Sequence, residues 1–172
     1  MVDRSKIGRS NRQKGKRGER EVRDIFQALI YPNGEGTVSR TPHSGAWHGM
    51  PILTGDLVFL KDGKSDNDVL FFCEVKTRQK GSISFANLLS GDSGTIGAWV
   101  KTAKGNCPED KIAIVVWKIP FSEWFVSVSH LDTLVLMDIF GSMPIPSSIL
   151  MTNDEDGVAT LPWDTFSRWV KK

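Results

Sequence analysis

The sequence predicts an α/β domain with a mixed central sheet flanked by helices. Three observations lead to this prediction. Apolar residues recur at helical spacing after residue 16, short β-favouring runs alternate with further helical stretches, and residues 112–117 form an uninterrupted apolar run typical of a buried strand. A chain of 172 residues is long enough for one domain with a single core.

The first half of the chain contains one helix and three strands. Residues 1–15 are rich in Arg, Lys, Ser, Gly and Asn, so we expect a flexible basic arm there. A helix follows from about Lys16, because apolar residues recur on one face, and the Pro-Asn-Gly sequence at 32–34 ends it. Strands are expected at residues 37–40, 56–60 and 69–76, with the last two joined as a hairpin.

The second half alternates helical and β-favouring segments. Helical patterns are found near residues 83–90, 95–104, 131–140 and 163–170. Strands are expected at residues 112–117 and 124–128, and a partly acidic loop at 144–156. We therefore expect a single domain of residues 16–172, with a core at about 16–128 and an additional tail at 129–172.

Positive charge is concentrated at the N-terminus. The net charge is +2, yet residues 1–18 carry +6 and the remainder −4. A basic arm on a mildly acidic body is typical of proteins that bind a polyanion such as DNA, although a solvated tail has the same composition. The expected DNA contacts of the arm are Arg4, Lys6, Arg9, Arg12, Lys14, Lys16 and Arg17.

Several classes of protein are excluded by composition. No run approaches the roughly 20 apolar residues that cross a bilayer, and the N-terminus lacks the apolar stretch of a secretory signal. Two cysteines are too few for a disulfide framework or a zinc site of paired cysteines. We therefore expect no membrane partner and a cytoplasmic location in a microbial cell, or in the host of a phage that encodes the protein.

The strongest chemical signal is Asp56 followed, after seventeen residues, by Glu74-Val75-Lys76. Side chains two apart on a strand share a face, so Glu74 and Lys76 project together. Asp56 begins the preceding strand, and pairing of the two strands would bring it close to Glu74. Two hard oxygen ligands suit Mg²⁺, with Mn²⁺ as a substitute, and the lysine suits orienting an attacking water. A surface ion pair at a strand end is the alternative for these residues taken alone.

Glu19 lies on the apolar face of the first helix. At about 100° per residue it falls between Phe26 and Ile30, whereas Arg20 and Glu21 fall elsewhere. A carboxylate on a buried face needs a partner, which a metal ion or its water network would supply. A solvated position in the first helical turn is the alternative.

Four segments resemble the archaeal-type Holliday junction resolvases, a family of the PD-(D/E)XK nuclease superfamily. The segments are KGKRGEREV at 14–22, Arg40 with Ser44-Gly45, GDLV at 55–58 and CEVKTR at 73–78. They occur in the family's order over roughly residues 14–128. The long loop at 42–54, the extended turn at 61–68 and the tail beyond His130 depart from the family's pattern.

The resemblance implies a restriction-endonuclease-like core and a role for each matching residue. Asp56 and Glu74 would bind the metal, aided by the Val75 carbonyl, and Glu19 and Lys76 would complete the catalytic site. Hydrolysis would leave a 5′-phosphate and a 3′-hydroxyl. Further DNA contacts would come from Arg20, Arg40, Ser44 and Arg78.

The sequence therefore predicts a Mg²⁺-dependent endonuclease specific for branched DNA, with a Holliday junction as its substrate. We expect a homodimer, because a four-way junction requires two symmetric cuts. Two alternatives remain open: another PD-(D/E)XK endonuclease of restriction, repair or phage genome processing, and a DNA-binding module without activity. The four intact acidic and basic site residues argue against the second alternative.

Overall fold

In the described part of the chain the main sheet has five strands, in the order Phe71–Thr77, Ile112–Lys118, Phe125–Ser129, Val158–Pro162 and Ile149–Met151. The structure is a computed structural model that describes residues 4–41, 55–61, 63–65, 69–77, 83, 94–144, 149–151 and 157–171, with the backbone alone for 4–12, 64–65 and 149–151. The strands are β4 (Phe71–Thr77), β5 (Ile112–Lys118), β6 (Phe125–Ser129), β7 (Ile149–Met151) and β8 (Val158–Pro162). Strands β4 and β5 are parallel, and the other neighbours are antiparallel. The predicted mixed α/β fold is confirmed.

A smaller antiparallel sheet lies beside β4. It contains β1 (Gly36–Arg40), β2 (Leu57–Lys61) and β3 (Lys64–Ser65). The predicted hairpin between residues 56–60 and 69–76 is wrong, because β2 turns back at Gly63 and pairs with β3. Gly63 has a φ of +76°, which glycine adopts at little cost and which permits the tight turn.

Among the described residues, four helices pack on the main sheet. They are α1 (Arg4–Ile30), α2 (Gly94–Asn106), α3 (His130–Phe140) and α4 (Trp163–Val170). The side chains of β5 alternate between two cores: Ile114 and Val116 pack with α1 and α4, and Val115 and Trp117 pack with α2. Among the described helices, none has the length and apolar character needed to cross a membrane.

Helix α1 begins at Arg4, well before its predicted start near Lys16. The first turns contain no recurring apolar face, and the sequence pattern that predicts helices depends on such a face. Residues 4–15 are therefore helical here rather than the irregular arm that composition indicates. The division of the chain into an arm and one domain stays a prediction.

The C-terminal tail completes the main sheet. Strand β8 lies between β6 and β7, and Phe166 and Trp169 of α4 are buried in the core. Both strands were missed: β7 falls within the predicted loop, and β8 is a short run that ends at Pro162. The predicted helix at 83–90 lies outside the described residues, apart from Ile83.

Candidate active site

Asp56 is held against the edge of β4 that faces away from β5. Its backbone N–H donates to the Cys73 carbonyl at 2.9 Å, and its Oδ2 accepts a hydrogen bond from the Val75 N–H at 2.8 Å. Gly55 makes this approach possible. It has a φ of +91°, and an added Cβ would lie 2.9 Å from the Cys73 oxygen. The Asp56 carboxylate is therefore fixed beside the strand that carries Glu74.

Glu74 lies between an acidic and a basic neighbour. Lys76 Nζ donates to Glu74 Oε2 at 2.7 Å, as expected for side chains on one face of a strand. Burial raises the pKa of the Glu74 carboxyl, the neighbouring Asp56 carboxyl raises it further, and Lys76 lowers it. The Asp56 and Glu74 carboxyl groups thus lie near each other in a partly desolvated position, which favours a cation between them.

Thr41 places a further polar atom beside Asp56. Its N–H donates to the Asp56 carbonyl at 3.1 Å, continuing the register in which Arg40 pairs with Leu57. The Thr41 side chain is 5% exposed, and its hydroxyl has no hydrogen-bond partner among the described residues. A buried hydroxyl without a partner is rare, and an ordered water is one way to satisfy it.

The donor set fits a hard divalent cation. The neighbouring carboxylates of Asp56 and Glu74 supply oxygen ligands. Val75 adds a carbonyl, because the N–H and C=O of a strand residue point to the same edge and its N–H points to Asp56. Within the described ranges there is no group of three or more His, Cys, Asp or Glu side chains placed to hold a metal. A Mg²⁺ site of this kind retains several waters and takes further oxygens from substrate phosphate.

Glu19 has a protein partner. Arg40, the last residue of β1, forms an ion pair and a hydrogen bond with the Glu19 carboxylate, and the two side chains are 25% and 15% exposed. The helical position of Glu19 beside the buried residues Val22 and Phe26 agrees with the sequence pattern. Arg40 therefore provides a partner for the buried-face carboxylate, and the expected role of Glu19 at a metal site stays a prediction.

Helix α1 contacts the carboxyl end of β4 at Gly18. A Cβ at this position would lie 2.5 Å from Thr77 Cγ2 and 3.4 Å from Trp124, so only glycine allows the helix to come this close. The next residue along the helix is Glu19. The close contact therefore places Glu19 near the end of the strand that carries Glu74 and Lys76.

A second ion pair holds the same part of α1. Lys118 ends β5 beside Thr77, its Nζ donates to Glu21 Oε2 at 2.5 Å, and it lies 4.6 Å from the centroid of the Trp124 ring. The hydrogen bond from Lys118 lowers the pKa of Glu21. This pair is not among the functional residues expected from the sequence. A lysine near the end of an apolar strand could have indicated Lys118, as it did Lys76.

The predicted DNA contacts are distributed unevenly. Lys14, Lys16, Arg17 and Arg20 are exposed on α1. Four more belong to the same helix, of which the backbone is described: Arg4, Lys6, Arg9 and Arg12. Ser44 and Arg78 lie outside the described residues.

The comparison with known protein families agrees with this geometry. Residues 10–171 match the model of a family described as "Phage putative PDDEXK endonuclease". No curated protein and no solved structure gives a significant match to the chain. The match includes β7, β8 and α4, which lie beyond the segments that resemble the junction resolvases.

Proposed function

Because the chain belongs to the family of phage PD-(D/E)XK endonucleases, which hydrolyse DNA, we propose that Asp56, Glu74 and Lys76 form its catalytic centre. The observation that carries the proposal is the position of the Asp56 carboxylate, which accepts a hydrogen bond from the Val75 N–H directly beside Glu74, while Lys76 is hydrogen-bonded to Glu74. Like charges are held together at a cost, and such pairs are concentrated at functional sites.

Nucleases of this superfamily generally use divalent metal ions, and we propose Mg²⁺ here, with Mn²⁺ as a substitute. Asp56, Glu74 and the Val75 carbonyl would hold it. When bound, the ion lowers the pKa of a water molecule and neutralises charge on the scissile phosphate. The oxygen-only donor set supports a hard cation rather than zinc.

The surrounding residues orient the reacting groups. Lys76 projects from the same face as Glu74, so its ammonium group is available to hold the attacking water or a phosphate oxygen. Glu19 would accept hydrogen bonds from waters at the site, and Arg40 fixes the Glu19 carboxylate. The arrangement is already formed in the protein, which reduces the reorganisation needed in the transition state.

We propose branched DNA as the preferred substrate, on the basis of the resemblance of residues 14–22 and 73–78 to junction resolvases. Processing of a phage genome in the host cytoplasm is the other candidate, and the family match favours it. The two differ in the DNA structure that is cut, since genome processing does not require a four-way junction.

One gel assay tests both the activity and the substrate. Labelled four-way junction and linear duplex of the same sequence are incubated with the protein and Mg²⁺, Mn²⁺ or EDTA. We expect cleavage with either metal and none with EDTA. Cleavage in EDTA would exclude the metal-dependent mechanism, and equal rates on both substrates would exclude junction specificity while leaving the endonuclease assignment intact.

We also propose that the protein is a homodimer that uses helix α3. Leu131, Leu134, Val135 and Ile139 are between 47% and 60% exposed, although a helix with apolar residues on all sides is usually buried. We expect a dimer in sedimentation at micromolar concentration and a monomer after Val135→Glu, because two glutamates would then be desolvated in the interface. Leu131→Gln is a milder control, and a monomeric wild-type protein would exclude this interface.

A further inference from the structure

All charged residues in the first turns of helix α1 are basic. The helix is continuous from Arg4 to Ile30. Between Arg4 and Gly18 the sequence contains seven basic residues and no acidic residue. Within this segment Lys14, Lys16 and Arg17 are exposed. About four turns of the helix are therefore uniformly basic.

Open space adjoins this part of α1 at Gly15. At Gly18 an added Cβ would clash with Thr77, whereas at Gly15, one turn earlier, it would meet nothing within 4 Å. The helix thus rests on β4 at Gly18, and at Gly15 the side on which a side chain would project is free of the described residues. The basic segment and the site residue Glu19 belong to one helix.

The charge pattern indicates the partner. Like charges three or four residues apart destabilise a helix, and three such pairs are formed by Lys6, Arg9, Arg12 and Lys16. Gly15 is also less favourable in a helix than alanine. A polyanion with regularly spaced charges would relieve these repulsions, as the phosphate backbone of DNA does.

We propose that the segment Arg4–Arg17 binds, as a helix, the phosphate backbone of the duplex beside the scissile bond. The inference rests on the proposed function. Because the segment continues into the helix that carries Glu19, its distance from the cut is fixed. Fifteen residues separate Arg4 from Glu19, about 22 Å along the helix, or about 6–7 base pairs at 3.4 Å each. The phosphates contacted lie within that distance of the cut.

Two substitutions at Gly15 test the helix without changing any charge. Gly15→Pro removes the hydrogen bond to Asn11 and breaks the helix there. Proline is favoured at the first position of a helix, so the part of α1 that follows residue 15 can still form. Gly15→Ala meets open space and strengthens the helix. Binding of duplex DNA is measured in EDTA at several salt concentrations, together with hydroxyl-radical footprints of the wild type and of a variant lacking residues 1–13.

We expect Gly15→Ala to bind at least as tightly as the wild type. Gly15→Pro should bind about tenfold or more weakly at physiological salt and lose the protected phosphates that the truncated variant loses. Its salt slope should fall by up to about 4–5 units, for the five basic residues before Gly15. Equal affinity and footprints for the proline, alanine and wild-type proteins would overturn the proposal.

Cleavage separates this proposal from the proposed function. At saturating DNA with Mg²⁺, both Gly15 variants should retain cleavage, since Asp56, Glu74 and Lys76 are unchanged. Absence of cleavage by the wild-type protein would contradict the proposed function, whatever the binding data show. Normal cleavage combined with identical binding of all variants would contradict the helical DNA contact alone.

Discussion

Replacing Asp56 with asparagine should lower the rate of DNA cleavage by about 10³-fold or more. The amide oxygen of asparagine can still accept the hydrogen bond from the Val75 N–H, so the fold and the position of the side chain are retained. The lost group is the negative charge that we propose holds the metal ion, whose effect would be chiefly on the transition state. Single-turnover cleavage at saturating Mg²⁺ measures the effect, and DNA binding should stay within a few fold.

Asp24→Asn is the matched control. Asp24 lies on α1, its side chain is 65% exposed and its ion-pair partner is the neighbouring Arg23. The same change of charge there should alter cleavage by less than about twofold, because exposed ion pairs contribute little. Cleavage by purified Asp56→Asn at more than a tenth of the wild-type rate would remove Asp56 from the proposed site.

The sequence predicts the central part of this site because its determinants are local. Glu74 and Lys76 share a face through the two-residue period of a strand, and their hydrogen bond follows from that spacing. The prediction that Asp56 lies near Glu74 was based on a hairpin between residues 56–60 and 69–76, which the structure does not contain. The backbone of Asp56 does contact β4 through Cys73, but β2 itself pairs with β1 and β3.

Features that depend on long-range packing are not predictable from these patterns. The partner of Glu19 is Arg40, which lies 21 residues away and arrives there through the position of β1. Lys118 pairs with Glu21 across 97 residues. Strand β8 lies between β6 and β7, an order that no local pattern determines. Hydrophobic periodicity predicts the elements themselves and carries no information on which of them become neighbours.

Glu74→Gln should lower the rate of DNA cleavage by a factor similar to that of Asp56→Asn, and it should make the metal-free protein more stable. Burial and the neighbouring Asp56 carboxyl raise the pKa of Glu74, so its ionised form is disfavoured in the folded protein despite Lys76. Glutamine has nearly the same shape and no charge, and it removes the repulsion at neutral pH. We expect a rise of a few degrees in the melting temperature in EDTA, as about 1 kcal/mol corresponds to about 2–4 °C for this chain length.

The pH dependence distinguishes this cause from improved packing. A carboxyl whose folded pKa is raised favours the folded state below its unfolded pKa, near 4.5, and loses that contribution as the pH rises through the folded value. The stability gained by Glu74→Gln should therefore vanish below about pH 4.5 and reach its maximum above the folded pKa. Mg²⁺ should stabilise the wild type more than the variant, because an ion bound to the folded protein raises its stability. A variant less stable than the wild type in EDTA at pH 8 would show that Glu74 is a structural ion-pair partner of Lys76, and that repulsion by Asp56 is not the dominant interaction at this position.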